Sequence, residues 1–399
     1  MQDGYRKYAK SIHKQFNEVK FEIMNFNYYL PVNLIFGRSV ILQAGSQTAK
    51  YGKRALIVTG RGSTRKSGLL DKCISLLKEA GVDSKVFDEV TQNPLTTTVE
   101  AGARLAKENG CDVVVGLGGG STMDAAKAIA FLADNGGDIS DYIFGRKTSD
   151  HALPLILIPT TCGTGSEGNG FAVLSNPVTK DKKSLRFHSI IAKASIIDPE
   201  LMVTMPKQTL ASVGFDALCH NMEAFLSKTS QPMSDSLALK GVQLISENLP
   251  RAYRDSSDSE AWENLTLGST IGGMVIYTSG VTAPHGMEHP ASGLRDIVHG
   301  KGLAALTPWI YEASYQAAPE KFAVLSKLLG GKNEADCADA VRGLLRKIDL
   351  LTTLGEQGVL EEDIDWMTEN CMKVSAVTIG NHPVVFTPEE IHGIYGKAL

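Results

Sequence analysis

The sequence is poor in cysteine, in charge excess of either sign and in long apolar runs. Its six cysteines, at positions 73, 111, 162, 219, 337 and 371, form no C-x-x-C pair and no dense framework. A disulfide scaffold is therefore excluded, and the cysteines read as reduced thiols of a cytosolic, cytoplasmic protein. A net charge of -4 leaves no electrostatic footprint for nucleic acid or for an anionic membrane surface. No apolar run approaches the roughly 18 residues that cross a bilayer, which argues against a membrane role. The first 23 residues are polar, mixed in charge and without the apolar stretch of a secretory signal, so 1–23 reads as an N-terminal extension outside the fold. Histidine is scarce as well, nine in 399 residues, and its distribution is correspondingly informative.

What is present divides near Pro206. A chain of 399 residues exceeds what one hydrophobic core usually supports. From about residue 33, β-branched runs alternate with helical patterns: RALIVTG ends at Gly60, SKVFDEV at Val90, DVVVGLGGG at Gly120 and PLILIPTT at Thr161. Apolar strands joined by crossover helices predict a parallel sheet covered on both faces, with ligands beyond the carboxyl ends of its strands. After Pro206, long helical patterns such as SDSLALKGVQLISENLPRAYR and CADAVRGLLRKIDLLTTLG take over. The expected organisation is an α/β domain over 24–205 and an all-α domain over 206–399.

Three turns fall at those carboxyl ends. In GLGGGSTMDAAKAIA, Gly118, Gly119 and Gly120 separate an apolar strand from a helix that Ser121 is expected to cap, with Asp124 completing a capping box. Free N–H groups at a helix start, approached past residues without side chains, suit a pyrophosphate; a tight glycine turn with no ligand is the alternative. The turn follows the third strand counted here, not the first, and no acidic residue lies where a ribose hydroxyl is usually bound. The first strand ends instead in Gly60-Arg61-Gly62-Ser63-Thr64-Arg65-Lys66. With no carboxylate to repel it, a 2′-phosphate could be held there by Ser63 and a cation, unless the loop is only a solvated basic turn. The fourth strand ends in IPTTCGTGSEGNG, where Thr160, Thr161, Thr164 and Ser166 offer hydroxyls. Cys162 has no neighbouring histidine to support a low thiol pKa.

The histidines cluster. His285, His289 and His299 fall within fifteen residues, and Asp216 and His220 lie four apart in GFDALCHNMEAFL. In helices, Asp216 and His220 would share a face, as would His285 and His289. One carboxylate and three imidazoles from two segments make a shell for iron(II) or zinc, whereas calcium and magnesium take more oxygen ligands. Singly, each histidine is more often a hydrogen-bonded core or surface residue than a ligand.

GLGGGSTMDAAK, IPTTCGTGSE, IDPELMVTMP followed by GFDALCHNMEAF, and HGMEHP with a later HG occur in that order. In this combination the chain from about Asn25 to Leu399 resembles the iron-containing (group III) alcohol dehydrogenases. The resemblance implies a dehydroquinate synthase-like, Rossmann-related α/β domain followed by an all-α domain. It implies a metal, Fe2+ or alternatively Zn2+, bound by Asp216, His220, His285 and His299, with His289 near the nicotinamide as the candidate for relaying the final proton. Gly119, Gly120 and Ser121 would meet the pyrophosphate, with Gly118 and Asp124 in the same turn. Thr160, Thr161 and Thr164 would lie along the cofactor, and Lys182 near the nicotinamide ribose, with Lys183 as the competing assignment. Cys162 stands where alanine is more usual. With Gly60 and Ser63 after its first strand the chain is similar to the butanol dehydrogenase and aldehyde reductase branch, which implies NADP(H) in preference to NAD(H).

The implied reaction is hydride transfer between that cofactor and a short-chain primary alcohol or aldehyde, in a homo-oligomer expected to be a dimer. Rival readings are a glycerol dehydrogenase or a 3-dehydroquinate synthase of the same superfamily, or a silent protein that keeps metal and dinucleotide for structure. Arg295 and Lys301 are the only basic residues close to the histidine stretch in sequence, which argues against a phosphate-rich pocket.

Overall fold

The computed structural model describes residues 25–399, so the extension expected over 1–23 lies outside the described residues. Strands β1 (Leu34–Phe36), β2 (Arg54–Gly60), β3 (Asp83–Val90), β4 (Val113–Gly118), β5 (Leu155–Pro159) and β8 (Ala194–Ile197) form one six-stranded sheet. Its order is β1-β8-β5-β4-β2-β3, and every pair is parallel. β4 and β5 are buried along their whole length, as strands between two helical layers must be. Leu56, Val58 and Val114 pack with Ala126 and Ile129 on one face, while Ile57, Val113 and Val115 pack with Leu70 and Leu77 on the other. Each such buried Val, Leu or Ile stabilises the fold by about 1.5–3 kcal/mol. The chain runs outward from β2 to β3 and then crosses back beyond β2 to β4. That reversal opens a crevice between the carboxyl ends of β2 and β4.

Two features differ from the expectation. The strand Ala194–Ile197 joins the sheet, and an antiparallel hairpin of β6 (Phe171–Ser175) and β7 (Lys182–Arg186) follows the fifth strand, in register from Phe171↔Arg186 to Ser175↔Lys182. The polar sequence KKSLR carries almost no apolar alternation, so the hairpin has little signature. Its turn is closed by Asn176, whose Oδ1 accepts from the N–H groups of Val178 at 2.9 Å and Thr179 at 3.1 Å.

Beyond Pro206 the described residues form helices and no strand. The principal ones are Lys207–Leu226, Pro232–Arg254, Ser259–Ser279, Ala283–Arg295 and His299–Ser314. The CADAVRGLLRKIDLLTTLG stretch is helical only over Cys337–Lys347, and Asp349 turns away at φ 50°. Helix Lys207–Leu226 is buried on every side from Gly214 onward, the mark of a central helix. Asp216, His220 and Glu223 are thereby carried into a core, where charged groups require partners. Among the described residues no helix is long and apolar enough to cross a membrane.

Candidate metal and cofactor site

Three helices converge on one point. Asp216 and His220 lie a turn apart on Lys207–Leu226, His285 is in the first turn of Ala283–Arg295, and His299 opens His299–Ser314. Asp216 Oδ1 is 3.3 Å from His285 Nε2, 3.5 Å from His220 Nε2 and 3.6 Å from His299 Nε2. Donors about 2.1 Å from a tetrahedral ion stand about 3.4 Å apart, so these separations fit one divalent cation. Asp216 Oδ1 and His285 Nε2 are buried without hydrogen-bond partners, which is costly unless a cation takes their lone pairs. The donor set suits iron(II) or zinc.

The electrostatics agree. Burial pushes the Asp216 carboxyl up, but His220, His299 and His285 outweigh it and hold it well below the usual range. Burial pulls His220 down to about 4. For His285 burial is overcome by Glu223 and Asp216, which raise it to about 10. The two carboxylates thus favour positive charge at this ring, a demand that a bound metal ion would meet in place of a proton.

Two carboxylates that the sequence reading missed stand behind the imidazoles. Glu223 Oε1 is 2.6 Å from His285 Nδ1, and its Oε2 accepts from the Thr282 N–H at 2.7 Å. Glu288 contacts His299 Nδ1 and accepts from the Ser292 hydroxyl, with Lys182 Nζ 3.6 Å from its Oε2. Both glutamates are fully buried. Carboxylates so placed set the tautomer and orientation of a ligating imidazole. A signal existed, since a glutamate follows histidine by three residues in both His220-x-x-Glu223 and His285-x-x-Glu288.

His289 lies apart from the four, its ring centroid 6.2 Å from that of His285 and 5.8 Å from that of His299. Burial, then Lys182, hold its pKa far below the usual value, so it is a neutral imidazole. Glu288, His289 and His299 also come within mutual reach as a second group of potential donors. Of the adjacent lysines it is Lys182 that faces this site, 3.5 Å from His299 Nδ1, whereas Lys183 turns to the Val374 carbonyl.

The glycine turn departs from expectation in one respect. Helix Gly120–Asn135 begins at Gly120 with Gly119 as its cap, and no side chain caps it. Ser121 is already helical, and no capping box forms. Asp124 instead accepts from the Ser166 hydroxyl at 2.6 Å and the Val173 N–H at 2.9 Å, tying the helix to β6. The helix start therefore keeps its free N–H groups. Gly118 adopts φ 157°, and a Cβ on Gly120 would stand 2.2 Å from Thr164, so the glycines also let the Thr160–Ser166 loop close over the turn. Thr161 and Thr164 line the cleft with Gly119, Gly120 and Ser121. Buried Lys127 anchors this loop, with Nζ donating to the Ser166 carbonyl at 2.5 Å and to the Phe171 carbonyl at 2.8 Å. Cys162 is buried and its thiol pushed up to about 12, which leaves it no nucleophilic role.

The basic loop after β2 is less free than its sequence suggests. Arg65 pairs with Asp88 of β3 at 3.0 Å, so a carboxylate does stand beside this loop. Ser63 and Thr160 line a separate cavity of about 240 Å³, and Gly60 ends β2 with room for a side chain, its nearest neighbour 3.6 Å from an added Cβ. Arg295 is spent on Asp363, through two contacts of 2.7 Å.

A larger cavity of about 570 Å³ lies in the crevice between the sheet and the helices. One wall is the turn Gly119, Gly120 and Ser121, and the other is Asp216, His220, His285, His289 and His299.

Comparison with known proteins agrees with this architecture. Residues 31–199 match the family described as iron-containing alcohol dehydrogenase, and residues 210–399 match the C-terminal domain of the Fe-containing alcohol dehydrogenase family. Alcohol dehydrogenase 4 of Saccharomyces cerevisiae is 34% identical over 380 residues, 93% of this chain and 98% of that protein. The 1,3-propanediol dehydrogenase of Klebsiella pneumoniae is 34% identical over 94% of this chain and 99% of its own. Among solved structures, an archaeal halo-thermophilic alcohol dehydrogenase from a Red Sea brine pool superposes with a TM-score of 0.90 at 34% identity, covering 95% of this chain and 100% of that one. Fold, order of motifs and these matches along nearly its whole length establish that the chain belongs to the iron-containing alcohol dehydrogenase family.

Proposed function

We propose that this alcohol dehydrogenase is metal-dependent and passes a hydride between a nicotinamide dinucleotide and a short-chain primary alcohol or aldehyde. The observation that carries the reading is that one cavity is lined on one side by the free helix start at Gly119–Ser121 and on the other by Asp216 and the histidines. Iron(II) or zinc held by Asp216, His220, His285 and His299 would supply Lewis-acid polarisation of a substrate oxygen. Glu223 and Glu288 orient His285 and His299 for that purpose. The N–H groups at Gly120 and Ser121 receive the pyrophosphate, Thr161 and Thr164 flank the dinucleotide, and Lys182 meets the nicotinamide ribose. Phe171, Ile276, Val281 and Ile297 line the cavity and exclude water from the reacting atoms. His289, neutral and one turn beyond His285, relays the final proton, one ring nitrogen giving its proton to the alkoxide oxygen as the other takes one up from solvent.

For the cofactor, Gly60 and Ser63 favour NADP(H), because no side chain at the end of β2 repels a 2′-phosphate. Asp88 works against that preference, but it is neutralised by Arg65, and Arg61 and Lys66 remain exposed beside Ser63. The test is anaerobic loading of metal-free protein with Fe2+ or Zn2+, followed by NADPH oxidation with butanal. Turnover that appears only on metal loading supports the reading. Equal turnover in chelator-treated, metal-free protein overturns it.

A further inference from the structure

In sequence, only Arg295 and Lys301 lie near the histidine stretch; in the fold, β7 brings further cations to the same cavity. Lys182, Ser184 and Arg186 occupy alternate positions of β7, and all three line it. Strand alternation puts them on one face. The first end of this row is engaged, since Lys182 faces Glu288 and His299. Further along, Ser184 Oγ is buried without a hydrogen-bond partner among the described residues. At the far end Arg186 stacks on its cross-strand neighbour Phe171, the guanidinium carbon 4.7 Å from the ring centroid, and no carboxylate among the described residues pairs with it. Arg186 is exposed to the cleft, yet the protein packed around it still pulls its guanidinium pKa below the usual value. The carboxylates lining the cavity are Asp124 and Asp216, and both are already committed, to Ser166 and Val173 and to three imidazoles.

A partly desolvated, ring-stacked guanidinium with no counter-charge is built to receive an anion. It lies four residues along an extended strand from Lys182, about 13 Å between backbones. We propose that Arg186, assisted by Ser184, binds an anionic group at the far end of the substrate, so that the preferred substrates are ω-carboxylated aldehydes and the corresponding hydroxy acids. This rests on the dehydrogenase reading and narrows its substrate class. The reaction is unchanged: aldehyde, reduced dinucleotide and a proton give alcohol and oxidised dinucleotide, while the distal carboxylate stays intact.

The test uses metal-loaded full-length protein and a length series of 4-oxobutanoate, 6-oxohexanoate and 8-oxooctanoate, each against the neutral aldehyde of equal chain length. The native enzyme should favour the oxoacid at one length by about tenfold to a hundredfold in kcat/KM, the range of a charge-assisted hydrogen bond. Arg186→Leu should collapse that ratio and Arg186→Lys should retain part of it, with metal content and Tm checking that both variants fold. Calorimetric binding of 6-hydroxyhexanoate against hexan-1-ol gives a readout that needs no turnover. Arg186-dependent binding of the hydroxy acid in a protein that reduces nothing would uphold the anion site at Arg186 but overturn the dehydrogenase reading and the substrate class that rests on it. Equal kcat/KM for oxoacids and neutral aldehydes at every length would overturn the inference. So would an Arg186→Leu variant whose main defect is weaker dinucleotide binding, for then Arg186 serves the cofactor.

Discussion

Glu223 Oε1 lies 2.6 Å from His285 Nδ1, while the opposite nitrogen of the same ring lies 3.3 Å from Asp216 Oδ1. The imidazole is thus held between a carboxylate that orients it and the point where four donors meet. Glu223→Gln keeps the shape and removes the charge, so affinity for Fe2+ or Zn2+ should fall by about tenfold to a hundredfold. Competition against a chelator of known affinity measures this, and an unchanged constant would leave Glu223 with a packing role only.

His285→Ala removes a candidate ligand without changing a residue of the α/β domain. Metal retention and turnover should both be lost, while dinucleotide binding, followed by cofactor fluorescence, persists. Full activity in this variant with no metal bound would remove the metal from the mechanism.

His289→Ala should separate from it. The ring lies outside the four-donor group, so the variant should keep its metal and lose roughly a hundredfold or more in rate, as removal of a positioned proton relay does. Metal analysis beside kcat decides the matter: joint loss would place His289 among the ligands, with Glu288 and His299 as its partners.

Cofactor choice is expected to turn on Gly60. A Cβ there has room, with its nearest neighbours the Val90 carbonyl at 3.6 Å and Thr122 Oγ1 at 3.8 Å, so Gly60→Asp should fold normally. The new carboxylate would repel a 2′-phosphate and accept from ribose hydroxyls, shifting preference toward NADH by about 1–3 kcal/mol. The ratio of kcat/KM for the two cofactors, before and after the change, is the measurement. A native enzyme that already favours NADH would mean that Asp88 governs the site and that Arg61, Ser63 and Lys66 are a solvated loop.

His382 should make stability depend on pH. It is fully buried, 2.8 Å from Ser314 Oγ through Nε2, and burial holds its pKa down to about 3. Its folded pKa lies below the unfolded value of about 6.5, so between pH 6.5 and 3 the unfolded chain binds more protons. This contribution is complete above pH 6.5 and is lost progressively as the pH falls below it. Tm measured from pH 7.5 to 5 should decline less steeply in His382→Gln than in the native protein, and parallel curves would show that other groups govern the loss.

Much of this protein is written locally. The parallel strands at 54–60, 83–90, 113–118 and 155–159 follow from unbroken β-branched runs, because a strand buried on both faces needs no alternation. The four candidate metal-site residues stand out in the sequence because imidazoles are rare and because Asp216 and His220 keep a helical offset. The order of the motifs was enough to point to the family.

Other features belong to the fold alone. Glu223 and Glu288 each follow a histidine by three residues, yet each pairs with a histidine of a different helix, so their partners depend on how the helices pack. Asp124 has the spacing of a capping box, but it is drawn to Ser166 and Val173 because β6 passes beside its helix. Asp88 meets Arg65 only because β3 pairs with β2. Arg186, about a hundred residues before the His285–His299 stretch in sequence, faces the same cavity because β7 folds back along β6. Short-range periodicity specifies which residues share a face, but contacts across a cleft depend on backbone paths separated by many residues, and those are settled only when the sheet and the helices close on one another.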